Sequence, residues 1–348
     1  MEIFNIMANT ATMNNNTTVL NNGMNENEME ITEMQTTNTN TNETTANGLT
    51  YNEDGDIVMD AALFEKCGIT IDANDEYFNK CGFTIDKNDR VHPIARIEDG
   101  AYVSEECIII GAHIESGAYV GDDVRISGNV RICNGARVYD GAIITGNVVV
   151  RSGATVRGGA VIEDNAVIEG HAVIEGRATV RDNAIIGGNA VITGDVYVED
   201  NVRVTGNAHV SGHAYLWGDA KVHGNARVSD RAVVHGNAII GGNACVRGSA
   251  CVRGSSCVSG YAIVRGRTII YGSVRVNGNA IVEGGAVLND SAVVSGKAMI
   301  RGNAIVCNYS RVHGNAILEG DAFVRGDAVI GGNAVIGGDA SEYRCTLP

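Results

Sequence analysis

"HGNARVSDRAVVHGNAIIGGNACVRGSACVRGSS", residues His223–Ser256, returns to one phrase every six residues: small, variable, aliphatic, variable, Gly, Asn. A strict period of six fits neither a 3.6-residue helix nor a long two-residue alternation. It fits a three-residue strand, whose side chains point in, out and in, followed by a three-residue corner. The small and the aliphatic residue take the inward slots, the small one where the corner pinches the interior. The corner falls on x-Gly-Asn or x-Gly-Asp, and the recurrence of Gly-Asn is assigned to tolerance of positive φ.

The phrase runs far beyond this stretch. Two units near Ala95, "ARIEDG" and "AYVSEE", are in phase, and Cys107–Gly111 is one residue short. From Ala112 to Asp339 there are 38 consecutive hexapeptides without insertion or deletion. The aliphatic slot holds Val, Ile or Leu every time, from Ile114 through Val222 and Ile270 to Ile336. The small slot is mostly Ala, otherwise Val, Ser or Thr, as at Val124, Ser256 and Thr268. Three sides per coil give an 18-residue repeat, and about 13 coils at the strand spacing make a prism roughly 60 Å long. The expected fold class is all-β, a single-stranded triangular parallel β-helix. Spacing alone leaves its hand open.

Composition agrees with a copied unit: 45 Gly, 2 Pro and few aromatics in 348 residues. The net charge of −15 is unevenly placed. Met1–Glu65 has no Lys or Arg and eleven Asp and Glu, whereas Ala95–Pro348 carries 22 basic and 25 acidic side chains. Summed over its length the array is nearly neutral, which argues against nucleic acid as a partner. No stretch has the roughly 18 apolar residues of a membrane span. The opening "MEIFNIMANTATMNNN" lacks a basic n-region and a sustained apolar run. The nine Cys show no C-x₂-C spacing. A cytoplasmic location with reduced thiols is the expectation, with a virion or surface location left open.

Four segments follow. Residues 1–50 form an Asn/Thr-rich acidic arm whose low hydrophobicity predicts disorder. Residues 51–94 form a hairpin-like cap, with an Asp-Gly turn in "YNEDGDIV" and a 14-residue tandem, "FEKCGITIDANDEY" then "FNKCGFTIDKNDRV". Its Asp/Asn turns lack the Gly and final Glu of a calcium loop. Residues 95–340 are the array, and 341–348 a C-terminal tail.

On these motifs the array, about 70% of the chain, resembles the hexapeptide-repeat superfamily. The "V-x-G-N-A-x" dialect is most similar to a YdcK-like branch of bacterial and phage proteins described as transferase-like. The resemblance implies a left-handed triangular β-helix and a homotrimer of parallel prisms. It implies an acyltransferase as one function, with a His general base at a subunit boundary, a loop that helps hold acyl-coenzyme A, and often a C-terminal helical segment. No loop interrupts these 38 repeats, and eight residues follow the array. His235, His223 and His209 are the candidate bases, His235 first among them. Carbonic anhydrases on this scaffold supply three His to zinc. Here the eight His fall on different sides, so no metal is expected.

With an apolar interior, function belongs to faces, corners and ends. Counting in steps of 18 places Ile143, Val161, Thr179, Tyr197, Tyr215, Val233, Cys251, Ile269, Val287, Ile305 and Phe323 on one side. A second carries Val173, Val191, Cys245, Ile263, Ile281, Met299, Ile317 and Val335, and the third is broken by His113, Arg131, Arg203, Lys221, Arg275 and Arg311. The candidate oligomer interface is Ile143, Val161, Tyr197, Val233, Ile269, Val287, Ile305 and Phe323. Exposed β-branched residues also satisfy strand propensity alone. Beside this side runs Arg181, Glu199, Trp217, His235, Arg253 and Tyr271. Tyr215, Trp217, His235, Arg253 and Tyr271 are the candidate ligand-binding residues, by stacking and cation–π contact. The competing account is a ladder that stacks on itself.

The favoured reading is a non-enzymatic scaffold or binding rod that self-associates, with no cofactor. One alternative is an acyltransferase using acetyl-coenzyme A. The other is a rod that binds a ligand or glycan along the Trp217 stripe.

Overall fold

The computed structural model describes residues 95–338 except 105, together with short strands at 44–46, 49–51, 57–58, 83–85, 91–93, 342–343 and 346–347. The chain divides into two units, Met1–Leu63 and Phe64–Pro348. In the first, Thr44–Ala46, Leu49–Tyr51 and Ile57–Val58 form a three-stranded antiparallel sheet. Strand pairing thus begins inside the stretch expected to be an arm, and the boundary after residue 50 cuts through this sheet. In the second, Phe83–Ile85 pairs antiparallel with Val91–Pro93. The rest of the arm, of the tandem and of the expected cap lies outside the described residues.

The array forms three parallel sheets of 14, 14 and 15 strands, each strand paired with those one coil before and after it. This three-sided parallel solenoid, without a helix among its described residues, matches the left-handed β-helix that the resemblance implies. Face 1 carries Ile143, Val161 and their 18-residue successors, face 2 Val173 and its successors, and face 3 His113 and its successors. The chain visits them in the order 3, 2, 1. The one-residue deficit at Cys107–Gly111 reappears as register. Tyr102 pairs with Tyr119 and Arg96 with His113, 17 residues apart, while His113 pairs with Arg131 at 18.

The final residues do not trail away. Glu342–Tyr343 pairs with Phe323–Val324, and Thr346–Leu347 with Val329–Ile330. These pairings are 19 and 17 residues apart, so the hexapeptide phrase ends while the coil continues, which a reading by period alone misses.

Every aliphatic-slot residue from Ile114 to Ile336 is at most 2% exposed. Three hydroxyls share the interior, each spent on backbone: Thr268 donates to the Arg265 carbonyl at 2.8 Å, Ser310 to Cys307 at 2.6 Å and Ser256 to Gly272 at 3.5 Å. The bore therefore offers no free polar group, because a buried hydroxyl without a partner costs about 1–3 kcal/mol.

The corners correct the account of Gly-Asn. Positive φ falls on Gly, as at Gly236 (68°), on Asp, as at Asp164 (60°), on Ser152 (59°), and among the described Asn residues on Asn308 alone. Asn recurs for another reason. The Asn129 amide donates to Asn147 at 3.1 Å, Asn147 to Asn165 at 3.1 Å, and the chain of bonds continues through Asn183 and Asn201 to Asp219. An amide carries donor and acceptor at once, so one residue type extends such a ladder indefinitely. Asp at a corner does different work. Asp200 and Asp230 accept the backbone N–H of the corner one coil on, Gly218 at 2.8 Å and Gly248 at 2.9 Å.

Candidate binding face and its flanking stripe

Face 1 is an apolar ladder. Tyr197, Ile269 and Ile305 are 53%, 39% and 36% exposed, and Ile143, Val161, Val233, Val287 and Phe323 are half-buried between their neighbours. The eight candidate interface residues lie in one sheet, successive members one or two coils apart. Alternation puts them outward, since the aliphatic residue that follows each one occupies the bore.

The stripe runs along the edge between faces 1 and 3. Trp217 lies flat on His235, with ring centroids 4.1 Å apart and planes 5° from parallel. The Arg253 guanidinium sits 5.2 Å from the centre of the Tyr271 ring, and Asn289 donates to the Tyr271 hydroxyl at 2.7 Å. Arg181 is ion-paired with Glu199, which also accepts the Tyr215 hydroxyl. That bond, helped by burial, pushes the Tyr215 phenol up to about 12. Tyr215 meets Tyr197 edge-on, with centroids 6.2 Å apart. Trp217, His235, Arg253 and Tyr271 thus follow one another along the stripe, with Tyr215 beside Trp217 on face 1, and each engages a neighbour. Two aromatic faces are occupied by protein groups before any ligand arrives.

His235 has a neighbour that counting did not show. Its Nε2 lies 3.8 Å from the Cys251 sulfur, on the adjoining position one coil on. The spacing argument sends Cys245, Cys251 and Cys257 to three faces, and they do occupy faces 2, 1 and 3. What it omits is that an outward residue also meets the flanking stripe. Burial first, and the Arg253 charge second, hold the His235 imidazole below its ordinary value, so it is neutral at pH 7. Burial likewise raises the Cys251 thiol, which stays protonated there. A neutral imidazole can accept a proton, but no carboxylate orients this one. His209 lies on face 2 and His223 on the edge between faces 3 and 2, away from the stripe.

The lowered His235 value has a consequence for stability. The unfolded imidazole takes up its proton near 6.5, the folded one at lower pH. Its contribution is therefore full above about pH 6.5 and is lost as pH falls through the folded value. Between pH 7 and pH 5 the wild-type melting temperature should fall further than that of His235→Phe, which keeps the stack on Trp217. Equal falls in a thermal melt would contradict this assignment.

An open depression of about 320 Å³ lies on the edge between faces 2 and 1, lined by Asp140, Arg157, Glu175, Thr193 and Gly158, Gly176 and Gly194. Arg157 and Glu175 in its wall are ion-paired. Among the described residues no three His, Cys, Asp or Glu side chains gather as metal ligands. No helix among them is long and apolar enough to cross a membrane.

No family model matches the sequence, and no curated protein does. Solved structures do. The UDP-N-acetylglucosamine acyltransferase of Francisella novicida is 20% identical over 45% of this chain and 62% of its own, with a TM-score of 0.26. The O-acyltransferase of Moraxella catarrhalis RH4 is 16% identical over 49% and 70%, at 0.27. The Arabidopsis enzyme is 17% identical over 63% and 71%, at 0.23. The chain thus spans less than two thirds of the first of these. At such values the likeness concerns the repeat architecture and says nothing of this chain's activity.

Proposed function

We propose that this chain is a non-enzymatic β-helical rod that assembles with copies of itself through face 1. The observation that carries the reading is the apolar ladder from Ile143 to Phe323, with only Thr179 interrupting it, and with Tyr197, Ile269 and Ile305 open to solvent. A contiguous exposed apolar strip of this length is more than a solitary rod needs. The bore offers no ligand site, and along the stripe Arg181 is held by Glu199, Trp217 by His235 and Arg253 by Tyr271. The parallel trimer that the resemblance implies is one assembly such a face serves.

The acyltransferase reading stands second. It is supported by a neutral, half-buried His235 beside Cys251 and Trp217. The two separate in one set of samples. The rod predicts a mass above the monomer by light scattering, reduced to the monomer in Ile269→Lys/Val287→Lys, and no thermal protection by acetyl-coenzyme A. Protection by acetyl-coenzyme A, with turnover that His235→Ala abolishes, would establish the enzyme instead. A wild-type chain of monomeric mass would end the rod reading.

A further inference from the structure

Near-neutrality of the array conceals a separation of charge along its axis. Of the unbroken array, residues 112–225 carry 9 basic and 13 acidic side chains, a net −4 with His neutral. Residues 226–339 carry 11 basic and 7 acidic, a net +4. Stacked coils convert this difference in sequence into a difference in space, because each 18 residues advance the prism by about 4.8 Å. The inward slots hold no charge, so these groups sit on the outer skin. One half of the rod is acidic and the other basic, and each half is about 30 Å long on that spacing.

The sign changes between Ala220 and Lys221. The midpoint of the unbroken array, Ala112–Asp339, lies between residues 225 and 226. The two points are five residues apart, under a third of a coil. Only one way of laying two copies side by side uses this coincidence. Parallel copies set −4 against −4 and +4 against +4. Antiparallel copies in full overlap set the net acidic half against the net basic one, except at the two ends, where residues 112–130 and 321–339 are each a net −2. Charge of this kind fixes orientation more than it adds affinity, which the apolar ladder supplies.

We propose that two copies of this chain associate antiparallel through face 1, with the twofold between Tyr215 and Val233. This rests on the self-association put forward above and adds its orientation. Most of the ladder keeps an apolar match when reversed: Ile143 faces Ile305, Val161 faces Val287, and Tyr215 faces Val233, while Ile269 meets Thr179 and Phe323 meets Arg125. An antiparallel pair closes on itself, so assembly stops at two.

Two measurements on the full chain test this. The first is dimer mass by light scattering across ionic strength. Attraction between opposite halves is screened by salt, so the dimer should weaken, by roughly tenfold in Kd between 50 and 500 mM salt. The second is cross-linking with a short bismaleimide in a Cys251→Ser background, relative to the same chain without an added cysteine. Ile305→Cys alone should gain no cross-link, since its two copies would lie about nine coils, or roughly 43 Å, apart. A mixture of Ile143→Cys and Ile305→Cys chains should gain one. An assembly that tightens with salt, or cross-links through Ile305→Cys alone, overturns the orientation and leaves self-association standing. A monomer at every salt concentration overturns both, and uptake of heparin by that monomer would assign the basic half to a polyanion instead.

Discussion

Replacing Ile240 with Asp should open the middle of the rod, at a cost above about 4 kcal/mol. Ile240 is fully buried and pairs with Val222 one coil below and Val258 one coil above. Losing its burial costs roughly 2–3 kcal/mol, and placing a carboxyl among hydrocarbon without a partner costs several more. The site is closed to solvent, and the hydroxyl in an adjoining inward slot, Ser256, already donates to the Gly272 carbonyl. A solenoid transmits such damage to neighbours and not to distant coils, because each coil touches only the next. The expected result is loss of hydrogen-exchange protection across about 222–258, with the coils near Ile144 and Leu318 still protected. The control is Ile239→Asp. Ile239 is one residue away, half-buried on face 3, and its replacement should cost under about 1 kcal/mol. Similar losses for the two variants would mean that the in–out alternation is wrong.

The second large effect belongs to the corners. Gly236 has φ of 68°, and a Cβ there would lie 3.1 Å from the Gly254 nitrogen and 3.2 Å from its carbonyl oxygen. A β-branched residue meets both the left-handed backbone and the next coil, so Gly236→Val should cost on the order of 2–3 kcal/mol. Gly236→Asp should be tolerated. Equivalent corners hold Asp at 164, 182, 200, 230 and 290 with φ between 57° and 61°. There the carboxylate accepts the next corner's N–H, as Asp200 does from Gly218. In Gly236→Asp the new acceptor would meet the Gly254 N–H. Denaturation midpoints of the two variants decide the matter. Equal destabilisation by Asp and Val would show that only the absence of a Cβ is wanted there.

The solenoid was legible because its rule is one of backbone and volume. Small-x-aliphatic with a corner every six residues fixes what faces the bore, so Ile114 to Ile336 and the three faces follow from counting. Where the phrase lapses, counting lapses too. Glu342–Tyr343 and Thr346–Leu347 still join sheets, since pairing to an existing edge requires extended backbone more than a particular residue. The array's charge was also written in the sequence. Summing it over the whole length erased the axial split, because a sum discards position.

The sequence by itself determined the coil, its interior and the membership of each face, since these depend on a period that every residue shares. Only the tertiary structure decided which outward groups meet. Trp217 lies on His235, Glu199 is held by both Arg181 and Tyr215, and Cys251 reaches His235. These pairings depend on the directions long side chains take across the roughly 4.8 Å between coils. A repeat fixes where each Cα stands, and leaves the side chain beyond it several staggered choices that only its neighbours resolve.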